Sequence, residues 1–128
     1  MPTLDEIEGK TWGEAPGDAT FLMRRCHELR RQPIEGFTVE DLRIVIGQAI
    51  GLDALVPVAL STVEDNPLAA GDYFEGVLLV SLLGVPDAYW ADHTDDWYRL
   101  REVAGRVASL TSVLDRAKLF LDSSTGGA

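Results

Sequence analysis

A chain of 128 residues and 14.0 kDa is sized for one domain around one core, and its 46% hydrophobic and 25% charged residues exclude bulk disorder. The formal charge of −10 excludes a direct nucleic-acid binder, which needs a basic face for phosphates. The longest apolar run, Val77 to Leu83, falls far short of the ~20 residues a membrane-spanning helix needs, and a lone cysteine, Cys26, excludes an internal disulfide.

Residues 1–19 are rich in Gly, Pro, Asp and Glu and read as a poorly structured arm, with Trp12 large enough to tack it to the body. Acids at Asp5 and Glu6 stand where a secretory leader carries bases, so a cytoplasmic protein is expected. A helical domain is expected over 20–122. Its first helix runs from Thr20 to Gln32, with Phe21, Leu22, Cys26 and Leu29 on one face and Pro33 as the stop. Thr38 is a natural N-cap for the second. Glu40 and Asp41 suit its dipole, Val39, Leu42, Ile46 and Ala49 recur at helical spacing, and Gly51 ends it.

A third helix covers Leu52 to Asp65, with Leu55, Val56, Ala59, Leu60 and Val63 as its stripe; Pro57 fits if it lies in the first turn. Residues 68–76 read as a loop. Val77 to Leu83 has no decisive period, and its leucine content favours a short central helix over a buried strand. Pro86-Asp87 opens a one- or two-turn segment through Trp90 and Asp92. The last helix spans Asp95 to Asp122 with Thr94 as cap. Its stripe of Leu100, Val103, Val107, Leu110, Leu114, Ala117 and Leu121 is expected to pack on the same domain. Residues 123–128 read as a flexible tail. The expected architecture is therefore all-α, a compact single-domain bundle of five to six helices with a long C-terminal helix, exposing roughly 6,700 Å².

Catalytic machinery is hard to find in this chain. Cys26 and His27 are helix neighbours that do not share a face. His93 sits among Asp92, Asp95 and Asp96, but those acids serve equally well as first-turn residues. No zinc, calcium, nucleotide or nucleophile-elbow motif occurs. The expectation is a binding protein that is not an enzyme and carries no metal or cofactor.

Charge distribution says more. Residues 33–98 hold twelve acids against one base, Arg43, whereas 1–32 hold six against five and 99–128 three against five. Solubility does not require such segregation. An acidic surface of this kind accelerates encounter with a basic partner by about 10- to 1000-fold at low salt. Within it, Asp72-Tyr73-Phe74-Glu75 and Asp87-Ala88-Tyr89-Trp90-Ala91-Asp92 place rings between carboxylates. Phe74, Trp90 and Trp97 read as core plugs, Tyr73 and Tyr89 as residues equally suited to an interface.

Several short motifs carry a resemblance. They are Cys26-His27-Glu28-Leu29-Arg30-Arg31, Phe37-Thr38-Val39-Glu40-Asp41-Leu42-Arg43-Ile44, Ile46-Gly47-Gln48-Ala49-Ile50-Gly51-Leu52, Leu55 to Leu60, Asn66-Pro67-Leu68 and Gly71-Asp72-Tyr73-Phe74. In this order and spacing the chain resembles the immunity proteins of bacterial contact-dependent growth inhibition systems. Two positions depart from that pattern: Ala49 stands where the family usually has Asn, and Gly76-Val77-Leu78-Leu79 where it typically reads Gly-Asp-Leu-Leu. The resemblance implies a monomer that binds a cognate toxin domain 1:1 in the cytoplasm and neutralises it by occupancy. The toxin is expected to be basic and a nuclease. Gln48 and Asn66 read as residues that satisfy backbone or turn groups. Partner recognition is assigned to the idiosyncratic acidic segments, at Glu64, Asp65, Asp72, Tyr73, Glu75, Asp87, Tyr89 and Asp92. A different class of reading, an acidic helical adaptor or regulator that binds another basic protein or itself through the last helix, follows from composition without the resemblance.

Overall fold

The computed structural model describes residues 2–70 and 75–126, and every regular element among them is helical. The segment read as an arm begins with a short helix, α1 (Leu4–Glu8), capped by the Thr3 hydroxyl, which accepts from the Glu6 N–H at 3.2 Å. Leu4 is completely buried. Gly51 allows it to reach the core. That residue is left-handed (φ 62°), and a β-carbon there would stand 2.6 Å from Leu4 Cδ2.

In α2 (Phe21–Arg30), capped by Thr20, burial is confined to the C-terminal half at Cys26, Leu29 and Arg30. Phe21 and Leu22 do not share that face: Phe21 is 82% exposed, because the helix meets its neighbours only from its second turn onward. A 3-10 turn at Ile34–Gly36 follows Pro33, and the Ile34 N–H donates to the Pro2 carbonyl at 3.1 Å, fixing the N-terminus to the body.

The capping signal at Thr38 is realised in full in α3 (Val39–Gly47). Thr38 Oγ accepts from the Asp41 N–H at 3.1 Å, and Asp41 Oδ2 accepts from the Thr38 N–H at 3.0 Å. The far end departs from expectation. Ala49 does not extend the buried stripe but adopts φ 56° outside the helix, exposed. Its N–H donates to Ile46 O at 2.9 Å and the Ile50 N–H donates to Val45 O at 3.0 Å, the paired pattern that closes a helix through a left-handed residue. Gly or Asn suits that conformation, and Asn is what the resembled family carries there. Ala49→Gly is therefore expected to stabilise the fold by about 0.5–1 kcal/mol, with Asn giving a smaller gain. A rise in the urea midpoint at unchanged slope would register it.

Helix α4 (Leu52–Asp65) has the expected bounds and stripe. Pro57, however, lies in the second turn, where its missing N–H leaves the Asp53 carbonyl without its usual donor. Complete burial of Leu55, Val56, Ala59, Leu60 and Val63 on both sides of it holds the helix together. The ambiguous apolar run is a helix, α5 (Val77–Leu83), packed on α3 and α4; Gly76 precedes it and no side chain caps it. Helix α6 (Asp87–Asp92) is the expected short segment.

The single last helix is two. α7 (Thr94–Ala108) starts with Thr94 inside it and His93, not Thr94, at the cap position, without a side-chain cap bond. It packs on α4 and α6 and buries Leu100 and Val103. α8 (Thr111–Gly126) follows Ser109-Leu110, and Leu110, Val113, Leu114, Leu119, Phe120 and Leu121 are exposed. The expected packing of the whole stripe on the domain thus stops near Val107, which is partly buried. The surface agrees: 7994 Å² against the roughly 6,700 Å² of a compact chain of this mass.

Candidate functional site

The carboxylates between residues 33 and 98 divide into two groups. Arginines already engage four of them. Arg25 Nη2 donates to Asp41 Oδ1 at 2.9 Å, and Arg43 pairs with Glu40 one turn before it on α3. Arg99 on α7 forks onto Glu64 on α4, at 2.7 and 3.2 Å, and approaches Asp96 at 3.6 Å. Arg106 Nη2 adds a bond to the Glu64 carbonyl at 3.0 Å. Glu35, Asp53, Asp65, Glu75, Asp87, Asp92 and Asp95 form the second group, exposed to solvent. Asp72 and Tyr73, and Phe74 with them, lie outside the described residues.

The candidates are therefore not equivalent. Glu64 is a staple between α4 and α7, and the Arg99 hydrogen bonds hold its carboxyl below the usual carboxylate range. Sequence reasoning missed this because the partners are 35 residues apart, a contact that no local spacing announces. Asp65 is exposed at the end of α4, Glu75 just before α5, and Asp87 and Asp92 at the two ends of α6.

Tyr89 is buried rather than displayed, because α6 turns its ring inward. It stacks on His93 with centroids 3.9 Å apart and planes 8° apart, and meets Trp90 edge-on. Its hydroxyl donates to Asp96 Oδ2 at 3.4 Å. Desolvation, with the nearby Asp96 and Asp53 charges, raises the phenol well above its ordinary value, so it stays protonated and serves the packing. Trp90 is a core plug whose Nε1 donates to the Val85 carbonyl at 3.2 Å, and Trp97 packs partly buried against the core. His93 bridges elements. Its Nδ1 donates to the Tyr89 carbonyl at 2.8 Å and its Nε2 lies 3.1 Å from Asp53 Oδ1 on α4.

Cys26 is fully buried, and burial pushes its thiol up, away from the reactive thiolate. His27 is engaged elsewhere, with Nδ1 3.1 Å from the Gly13 carbonyl and its ring against Trp12. Among the described residues no three His, Cys, Asp or Glu side chains converge to hold a metal ion. An open cleft of about 430 Å³ between α2 and α3 is lined by Phe21, Ile44, Arg25, Arg43, Glu40 and Asp41, whose charges pair with one another. No described helix is long and apolar enough to cross a membrane.

What the geometry offers is a helical body on which seven carboxylates from residues 33–98 stand exposed. A family model described as CDI immunity proteins, CDI being contact-dependent growth inhibition, matches residues 6–100, from within α1 into the first half of α7. No curated protein and no solved structure matches the chain. The matched span contains the buried core except Leu4 and the last turns of α7, and the chain belongs to the family of CDI immunity proteins.

Proposed function

We propose that this chain neutralises its cognate toxin domain by stoichiometric occupancy, as a monomer in a 1:1 complex in the cytoplasm, and does so without catalysis. The toxin is a basic domain, a nuclease, whose phosphate-holding surface the acidic face competes for. One observation carries this reading: from residue 44 to 98 the chain has no Lys or Arg, and seven of its carboxylates there and at Glu35 stand exposed. Asp65, Asp72, Tyr73, Glu75, Asp87 and Asp92 are assigned to the contact. Glu64 and Tyr89 act behind it, by fixing α4 to α7 and seating α6.

Protection at low free toxin calls for nanomolar affinity or better, about 12 kcal/mol. Co-expression with the toxin domain from the adjacent gene should restore growth of a sensitive host. The combined Asp65→Lys, Asp87→Lys and Asp92→Lys variant should weaken binding of a catalytically dead toxin by about 100-fold. A host that still dies with the wild-type chain present would remove the reading; unchanged affinity of the triple variant would remove the acidic-face version of it. The exposed apolar side chains of α8 favour a second reading, a self-associating adaptor. A stable homodimer in sedimentation, dispersed by Leu110→Asp, would select it.

A further inference from the structure

Helix α5 is the most enclosed of the short helices, with Val77, Leu78, Leu79 and Leu82 buried against α3 and α4. Its remaining face is also apolar. Val80 and Leu83 are each 54% exposed, while Ser81 turns back to donate to the Val77 carbonyl at 3.0 Å. Leu68, 50% exposed, continues the line, its Cδ2 lying 4.0 Å from where a β-carbon of Gly76 would stand. Val80 and Leu83, three residues apart, share one face of α5, and Leu68 borders the Gly76 end of that helix. Leu68, Val80 and Leu83 therefore form one ridge, not three scattered surface residues. Exposed carboxylates flank α5 along the chain, Glu75 beside Gly76 and Asp87 three residues past Gly84. The whole stretch from 44 to 98 supplies no basic side chain to offset them.

We propose that this ridge is the apolar anchor of the toxin interface, seated on a basic surface of the toxin that carries an apolar side chain or pocket. The proposal rests on the immunity reading above and adds to it where the dry centre of the contact lies. An apolar strip between acids matches the general build of specific interfaces, with desolvated anchors inside a polar rim. The charge of that rim selects the partner: Lys and Arg on the toxin would meet Glu75 and Asp87 as the apolar groups close.

Affinity of the full chain for catalytically dead toxin tests this, with Val80→Lys, Leu83→Lys and the milder Leu83→Ala compared with Phe21→Lys on the exposed first turn of α2. Because the substituted side chains already face solvent, urea midpoints near wild type are expected, and Leu83→Ala keeps the test valid should a lysine disturb α5. Both ridge lysines should weaken binding by about 30-fold or more, Leu83→Ala by less, and Phe21→Lys should stay within a few-fold. Tight wild-type binding with folded ridge variants at full affinity would overturn the ridge and leave the immunity reading standing. Absence of wild-type binding would overturn both. A wild-type homodimer that Leu83→Lys converts to monomer would make a second copy the occupant and also overturn the proposal.

Discussion

Replacing Arg30 with alanine is expected to cost about 3–5 kcal/mol, the range for breaking a buried ion pair from one side. Its side chain is 1% exposed and links α2 to the N-terminal segment. Nε donates to Asp5 Oδ1 at 2.8 Å, Nη1 pairs with Glu8 Oε1 at 2.6 Å, and the guanidinium lies 4.4 Å over the Trp12 ring. Nη2 has no hydrogen-bond partner among the described residues, so the arginine's burial is itself incompletely compensated there. Removal would leave Asp5, itself largely shielded, without its cation, and would take away the platform under Trp12. Two readouts separate this from a general weakening. Proteolysis should accelerate between residues 9 and 19, and the double variant Arg30→Met, Asp5→Leu should recover part of the loss, because the shielded Asp5 carboxylate is then gone and only the more exposed Glu8 is left without its cation. Full additivity of the two single changes would show that the pair does not hold the segment.

Leu100→Ala and Leu114→Ala change the same residue type on the same apolar stripe, yet their expected costs differ several-fold. Leu100 is buried on α7 against the core, and truncation there should cost about 2–5 kcal/mol through lost transfer energy and a cavity. Leu114 is 53% exposed on α8, and its truncation should stay within about 0.5 kcal/mol. Parallel urea titrations measure both. Equal costs would mean that α8 packs on the domain after all.

That pair also shows how far the sequence could be read. Periodicity revealed that the chain is helical on both sides of Ser109-Leu110, though not the break there, and which side chains form the stripe. It carried no information on where the stripe leaves the buried core, because Leu110 and Leu114 continue the spacing while exposed. Signals confined to a few residues were legible: the Thr38 cap with Asp41, the bounds of α4, and the short α6 opened by Pro86-Asp87. Those that depend on distant contacts were not. Leu4 gave no sign that a cleared space at Gly51 awaited it, and Glu64 none that Arg99 would engage it. The Val77–Leu83 run read as a short central helix, and which of its side chains face outward, Val80 and Leu83, was not legible from its spacing.

The candidate surface was legible as charge and illegible as geometry. Composition located the excess of carboxylates between residues 33 and 98, and the fold shows that arginines engage Glu40, Asp41, Glu64 and Asp96 while the exposed acids escape them. Tyr89 shows the limit of reading aromatics between acids as interface residues. Half a helical turn decides whether such a ring faces solvent or core, and at α6 it faces the core.

Association kinetics between the chain and inactive toxin domain, followed across a range of salt, test most directly whether the exposed carboxylates recruit a basic partner. Raising NaCl from about 20 mM to about 500 mM shortens the screening length to a few ångströms, and the on-rate is expected to fall at least tenfold, with the Asp65, Asp87 and Asp92 triple reversal already slow at low salt. An on-rate that stays flat across that range, and that the triple reversal leaves untouched, would contradict it.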